Sequence, residues 1–320
     1  TIAADVQAYG QPVDLERAGT YRAAVGEVGL KSLHNYKAFL EGAGLPYRQL
    51  DRAALKAELG TEFYTAGLYS PHCYLAQPAE VMRAILARLP GSVQLYENTP
   101  ATGIKRVAGK WQVTTPFGSL HSPRLVLANN AFTRDLGVAR SRLATVYTYA
   151  GLTPRLDEKV LDSLGSNHNW GILPTHRLGS TLRRTADGRL LVRSLHDYGQ
   201  ERGRDKLNLA LQDRLWRRFP QVKGIPFEHI WGGAVGITYN GAPVWGEVEP
   251  GLFASSGCNG GGTVKGTLLG QLLAELAFGR EVPDIASLFG SAAWMPPEPI
   301  RGIGFHAISR LESWQGRQEL

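Results

Sequence analysis

The stretch from Gly251 to Phe278 constrains the fold more than any other part of the chain. Gly251-Leu-Phe-Ala-Ser-Ser256 reads as a strand and Gly257-Cys-Asn-Gly-Gly-Gly262 as a loop. From Thr263 to about Phe278 a helix follows, with Val264, Leu268, Leu272 and Leu276 at every fourth position and Gly279 to close it. A strand that runs through a glycine loop into a helix builds an anion-binding corner, because backbone can approach a ligand and the first-turn N–H groups and helix dipole face it. Three glycines directly before the helix leave no side chain to block a flat ring. The same spacing equally suits a plain βα turn whose glycines serve packing. Glycine is in surplus throughout, 38 of 320 residues, against a usual share of about 7%. The surplus has no linker-like or collagen-like period and gathers at Gly232-Gly233, Gly257 and Gly260–Gly262.

Composition bounds the function classes. Apolar residues make up 43% and charged residues 20% of the chain, enough for a packed core and too apolar for wholesale disorder. Lys and Arg exceed Asp and Glu by 35 to 28, leaving +7. The basic residues are scattered, with short clusters at Arg183-Arg184 and Arg217-Arg218 that lack interleaved aromatics. The expectation is a solvated basic surface and no nucleic-acid partner. Cys73 and Cys258 are the only cysteines, which excludes a disulfide scaffold and a Cys-rich zinc site and fits a reducing compartment. No apolar run reaches the length of a membrane span and no secretory leader pattern opens the chain, so a soluble, cytoplasmic protein is expected. Metal-protease, Cys-x-x-Cys, P-loop and nucleophile-elbow patterns are absent.

The rest of the chain alternates between the two periods. Glu27–Glu41 reads as an amphipathic helix on Leu30, Leu33, Tyr36/Lys37 and Leu40, and Gln77–Leu89 as a second, with Pro78 in its first turn and Pro90-Gly91 ending it. Short strands are predicted at Val93–Tyr96, Ala101–Val107, Trp111–Thr115 and a buried one at Arg124–Ala128. Further strands are predicted at Val146–Leu152 and Leu190–Leu195, and a helix around Leu207–Phe219. The tail after Pro283 is Pro-rich and poorly periodic.

The segment PVWGEVEPGLFASSGCNGGGTVKGTLLGQLLAELAFG (Pro243–Gly279) resembles the C-terminal flavin-binding segment of the D-amino acid oxidase/glycine oxidase family of FAD-dependent oxidoreductases, and in particular its γ-glutamylputrescine oxidase-like branch. Other pieces align in order. Gly67–Leu89 resembles the family's substrate loop and helix, Asn98–Gly118 with Ser122–Thr133 its meander and returning strand, and Trp231–Gly246 its W-x-G…T-x-D-x-x-P-V-x-G stretch. The resemblance runs from about Arg17 to Arg310, and its order and spacing are more specific than any one motif.

The resemblance implies an α/β chain: an FAD-binding, Rossmann-like three-layer domain, incomplete at its N-terminus, interleaved with a substrate domain on a mixed or antiparallel sheet. The expected parts are residues 1–76 and 137–228 for the substrate domain and 77–136 and 229–285 for the FAD-binding domain, with 286–320 as a tail. The family's opening βαβ unit with G-x-G-x-x-G is not found. Gly42-Ala-Gly44-Leu-Pro-Tyr47 fails the pattern, and Gly302-Ile-Gly304-Phe-His-Ala307 follows prolines instead of a strand. Because the sequence also opens at Thr1 without Met, it reads as most of a larger protein whose nucleotide-binding glycines lie before Thr1. Milder departures are Ala234 and Ile237 on the strand after Trp231, Asn240 for an Asp, and Asn129-Asn130 where Ala-Gly is common.

What the resemblance implies for function is oxidation of the C–N bond of an amine or amino acid by hydride transfer to FAD, with hydrolysis of the imine. The competing expectation is a flavin-free remnant or subunit that binds without redox chemistry. A second chain supplying the nucleotide-binding unit is a candidate partner. The expected cofactor contacts are Asn129, Asn130, Gly257, Asn259, Gly260, Gly261, Gly262, Thr263 and Lys265, the last adding positive charge near the ring. The candidate substrate-side residues are Tyr69, His72, Trp231 and Tyr239, with His72 the natural acceptor of an ammonium proton. Tyr74, Trp170 and His176 are further candidates for the cavity wall, and Arg177 and Arg183 for a substrate carboxylate. Each of these also has a plain reading as core or surface, and Cys258 reads as a small buried thiol.

Overall fold

The computed structural model describes residues 2–320. An eight-stranded sheet runs in the order β14 (His229–Ile237), β10 (Ala144–Leu152), β13 (Leu190–Tyr198), β12 (Thr181–Arg184), β11 (Trp170–Pro174), β2 (Thr20–Ala24), β4 (Ala66–Ser70) and β3 (Arg48–Asp51). Only the β11–β2 pair is parallel. Register partners share a face, so the pairing sorts the side chains into two sets. One face presents Tyr149, Val192, Leu182, Trp170, Ile172, Tyr21 and Leu50. These are buried beneath α3 (Arg52–Leu59) and α6 (Arg204–Arg218), whose Leu55, Leu59, Leu207, Leu211 and Leu215 complete the main core. At roughly 1.5–3 kcal/mol for each large apolar side chain removed from water, this layer dominates the fold's stability.

The opposite face is covered unevenly. Over β2 and β4, Ala24 and Leu68 pack under Leu33 and Leu40 of α2 (Gly26–Gly42). Toward β14 the same face carries Trp231, Ala150, Arg193 and Thr181, which are successive register partners.

A second body forms around β15 (Val244–Glu249), β16 (Leu252–Ser256) and β9 (Leu125–Leu127), with β9 parallel to β16 at the outer edge. Three layers result. Phe253 turns toward Leu273 and Ala277 of α7 (Gly262–Ala277). Leu252 and Ala254 turn the other way, toward Trp111 of the meander β6 (Gly103–Val107), β7 (Lys110–Thr115) and β8 (Gly118–Ser122). A ribbon of β1 (Leu15–Glu16) and β5 (Leu75–Ala76) joins α1 (Ile2–Tyr9) and α4 (Pro78–Leu86), which meet through Val6, Val81 and Ala84. The short helices α5 (Glu158–Asp162) and α8 (Ile285–Phe289) precede the terminal α9 (Ile300–Gln315).

The α/β class and most elements match expectation; six details do not. Val93–Tyr96 is irregular and exposed, because an alternating segment becomes a strand only with a hydrogen-bonding neighbour, and none lies beside it. The helix expected to Leu89 ends at Leu86, ahead of the residue before Pro90, which disfavours helix. β9 is only half covered, with Val126 47% exposed at the edge. On α7 the sheet takes the ridge Leu269, Leu273, Ala277 instead of the one starting at Val264, which leaves Val264 77% and Leu268 50% exposed. All nine residues of β14 pair with β10, so the boundary expected at 228/229 falls inside the eight-stranded sheet. The tail holds a sixteen-residue helix, α9, whose period is blurred by Gly302 and Gly304.

Candidate functional site

The loop between β16 and α7 is built by two asparagines. Asn259 takes the left-handed conformation, φ 51°, which Asn tolerates better than most residues. Its Oδ1 accepts the Thr238 N–H at 2.9 Å. Its Nδ2 donates to Gly257 O at 2.7 Å and Gly241 O at 3.0 Å. Asn130, φ 48°, opens the 3-10 turn after β9 and accepts the N–H groups of Gly257 and Cys258 at 3.1 and 3.2 Å, while its own Nδ2 points at Cys258 Sγ, 3.3 Å away. Thr133 donates its one hydroxyl proton to Asn129 Oδ1 at 2.7 Å, which leaves Ser256 as donor in the 2.6 Å Thr133–Ser256 contact. The side chains of Asn129, Asn130 and Asn259, expected as cofactor contacts, are thus engaged in fixing the loop itself. Gly257 must be glycine: its φ is +76° and a Cβ would lie 2.7 Å from Thr238 Cγ2.

Past this scaffold the loop is bare. A Cβ at Gly260 would meet nothing within 4 Å, and one at Gly261 only Cys258 O at 3.7 Å. No side chain caps α7, whose N-cap is Gly261, so its first-turn N–H groups at Gly262, Thr263 and Val264 have no partner within the helix. Lys265 does not join this corner. Its ammonium lies 5.7 Å over the ring of Phe289 in α8. Tyr239, 74% exposed, follows the Thr238 that Asn259 holds, and Asn259 N–H in turn donates to Gly236 O of β14. The glycine corner and the end of the eight-stranded sheet are therefore stitched together.

The sheet face reached from this corner carries Trp231, 43% exposed, and behind it Arg193. Arg193 donates to Thr148 Oγ1 at 3.2 Å and Thr181 Oγ1 at 3.0 Å. Burial alone pulls its pKa down, and among the described residues no carboxylate neutralises it. The sequence reading missed this residue. Its signal was a cation in the middle of the otherwise apolar run Leu190-Leu-Val-Arg-Ser-Leu195. The two arginines expected for a carboxylate are placed otherwise: Arg183 is bound to Asp14 and Ala76 O, and Arg177 lies at the surface beside Glu312.

Of the other substrate-side candidates, His72 lies on the loop between β4 and β5, its Nδ1 buried and without a hydrogen-bond partner. The same loop exposes Tyr74, and Leu75 at its end covers Gly171 of the Arg193 face. Tyr69 is a correction. It pairs with Tyr21 in register and so points to the α3/α6 face, opposite to Trp231; its hydroxyl donates to Ala18 O and its ring packs on Tyr21 at 4.9 Å. Trp170 is fully buried against Phe219 in the core, and His176 is enclosed where the C-terminal residues dock, with Glu312 3.3 Å from its Nε2. Both are structural. Cys73 and Cys258 are unpaired thiols.

The βα corner with its open glycine loop thus stands beside one uncovered face of the mixed sheet. Residues 2–276 match the family described as DAO, FAD dependent oxidoreductase, and the chain belongs to that family. It is 25% identical over 239 residues to the probable oxidoreductase OrdL of Haemophilus influenzae, covering 72% of this chain and 54% of that protein. To the gamma-glutamylputrescine oxidoreductase of Escherichia coli it is 27% identical over 291 residues, covering 89% and 66%. Among solved structures it resembles glycine oxidase from Geobacillus kaustophilus, with a TM-score of 0.79 at 19% identity over 92% of this chain and 80% of that one. The chain spans 54% to 66% of the length of these two sequence relatives. FAD is the cofactor of the family, and the open space at Gly260 and Gly261 fits the approach of a flat ring. Among the described residues, no helix is long and apolar enough to cross a membrane.

Proposed function

We propose that this chain supplies the ring-side half of an FAD site and the substrate wall of an oxidoreductase acting on the C–N bond of an amine or amino acid. The observation that carries the reading is the uncapped N-terminus of α7 behind the bare Gly260–Gly262 loop. Bound FAD would supply the two-electron oxidising chemistry, by which the amine would lose a hydride from the carbon bearing nitrogen and give an imine that water hydrolyses. The chain's own tasks follow from its residues. N–H groups of Gly262–Val264 and the helix dipole stabilise negative charge on the ring's carbonyl side. Trp231 and Tyr239 give the amine aromatic faces. His72 accepts an ammonium proton. Arg193, held by two threonines, takes a carboxylate in bidentate fashion.

The nucleotide half needs a βαβ unit, and the chain offers a seat for one. β9 has a free outer edge, the segment 93–96 has a strand's alternation without a partner, and α7 turns Gly266 and Gly270 outward, where nothing lies within 4 Å of a Cβ. That unit comes from the same longer polypeptide or from a second chain.

The visible spectrum tests the reading. Mixed with FAD and a nucleotide-binding segment, covalently joined or added separately, the chain is expected to show protein-bound oxidised flavin that an amine substrate bleaches without oxygen. Protein that stays colourless in both arrangements refutes it.

A further inference from the structure

The terminal helix α9 is amphipathic in the wrong sense for a helix that only packs on its own protein. At 100° per residue, Ile300, Ile303, Ala307, Leu311 and Trp314 fall within an arc of about 80°. That arc faces solvent, with Ile300 60%, Ile303 66%, Leu311 55% and Trp314 64% exposed. The inward side is small or polar. Arg301 donates to Leu143 O and Pro296 O, Gly302 passes Tyr198, Phe305 stacks on Tyr198 at 4.9 Å, and Glu312 faces His176. The helix is held firmly in this orientation. Gly316 packs on the His176 ring, and Glu319 Oε1 accepts the N–H groups of Thr175 and His176. Rotating it to hide the stripe would break all of these contacts.

The charges beside the stripe select what covers it. Arg310 and Arg317 flank it, the latter with its guanidinium 5.3 Å from the Trp314 ring centre. The helix's single acid, Glu312, is turned inward. Before the helix, Trp294, 65% exposed, borders a cavity of about 630 Å³ lined by Arg134, Arg140 and Arg301 together with Asp135 and Glu298. An apolar ridge about 21 Å long, bracketed by tryptophans and flanked by arginines, has the make-up of a helix that lies in a membrane interface. We propose that α9 docks this protein on an anionic lipid surface, lying in the interface without crossing it.

The test is flotation of the full chain with vesicles of phosphatidylcholine alone or with about one third phosphatidylglycerol. Binding is expected to the anionic vesicles, weakened by salt, and lowered at least about tenfold by Ile303→Asp with Leu311→Asp. Both positions face solvent, so circular dichroism and the melting temperature of that variant are expected to match the parent. As a second readout that needs no destabilising change, lipids brominated in the acyl chains are expected to quench tryptophan fluorescence, with most of the quenching lost in Trp314→Phe. No flotation, flotation unchanged in the double variant, or quenching unchanged in Trp314→Phe overturns the proposal. So does a dimer that the double variant dissociates in the absence of vesicle binding, which would assign the ridge to a second copy.

Discussion

Replacing Asn259 by Ala isolates the residue on which the glycine corner depends. The amide closes the loop onto both Thr238 and Gly257, and Thr238 is only 3% exposed. Truncation leaves the Thr238 N–H without its partner in a site water does not reach, at about 1–3 kcal/mol. It also places a Cβ-bearing residue without a compensating side chain at φ 51°, for roughly 1 kcal/mol more. The sum, about 3 kcal/mol, corresponds to a melting temperature lower by roughly 6–12 °C for a domain of this size class.

Asn259→Gly separates the two contributions. Glycine has no amide but accepts the left-handed backbone, so it is expected to recover about 1 kcal/mol relative to Ala. Thermal melts followed by near-ultraviolet circular dichroism give the order parent, Gly, Ala, and FAD affinity is expected to fall in both variants because the loop is no longer held. A Gly variant less stable than Ala, or both melting with the parent, would show that the hydrogen bonds of Asn259 do not hold the corner.

Three further outcomes are expected. Gly261→Val meets no atom closer than 3.7 Å from its Cβ, and the position has φ −100°, so the melting temperature stays while FAD affinity drops at least about tenfold by blocked approach. Arg193→Met is expected to lower kcat/KM for a carboxylate-bearing amine by about 10- to 100-fold, to spare uncharged amines, and to leave stability unchanged or improved, because it deletes a buried, unneutralised charge; equal losses on both substrates would reassign Arg193 to structure. His196, packed on Phe305, has its pKa pushed below the ordinary 6.5 by burial. Its neutral form is favoured in the folded state, so its contribution is present above that value and lost as pH falls below it. Melts at descending pH are expected to show a loss that His196→Gln reduces, and identical pH profiles would contradict this.

Elements were legible where period and punctuation agreed. The βα corner and α2 are the segments whose apolar spacing is closed off by a glycine, at Gly279 and Gly42. Face assignment was not legible, because it depends on register across strands far apart in sequence. Tyr69 and Trp231 were both substrate-side candidates, and the pairing of Tyr69 with Tyr21 puts the two on opposite sides of the sheet. The position of Arg193 in an apolar run was a signal, but its role was hidden for the same reason: an arginine in a strand reads as an outward charge, and only the Thr148 and Thr181 contacts from two neighbouring strands show a fixed one. The asparagines were singled out, but a sequence does not say whether an amide faces a ligand or its own loop.

Apolar spacing shows that a ridge needs cover, not what covers it, and residue size supplies the rest. On α7, which packs on β15 and β16, Gly266 and Gly270 are open to solvent along with Val264 and Leu268, and β9 ends the sheet with a free edge. Glycines in such a line let a second helix backbone approach closely, and a free parallel edge takes a strand, so this face suits another piece of folded protein. On α9 the outward line is Ile, Ile, Leu and Trp with arginines beside it. Large apolar side chains with cations beside them immerse well in a fluid apolar layer whose surface is anionic. The two uncovered faces of one chain therefore suit covers of different kinds, the α7 face a folded protein unit and the α9 face a lipid surface.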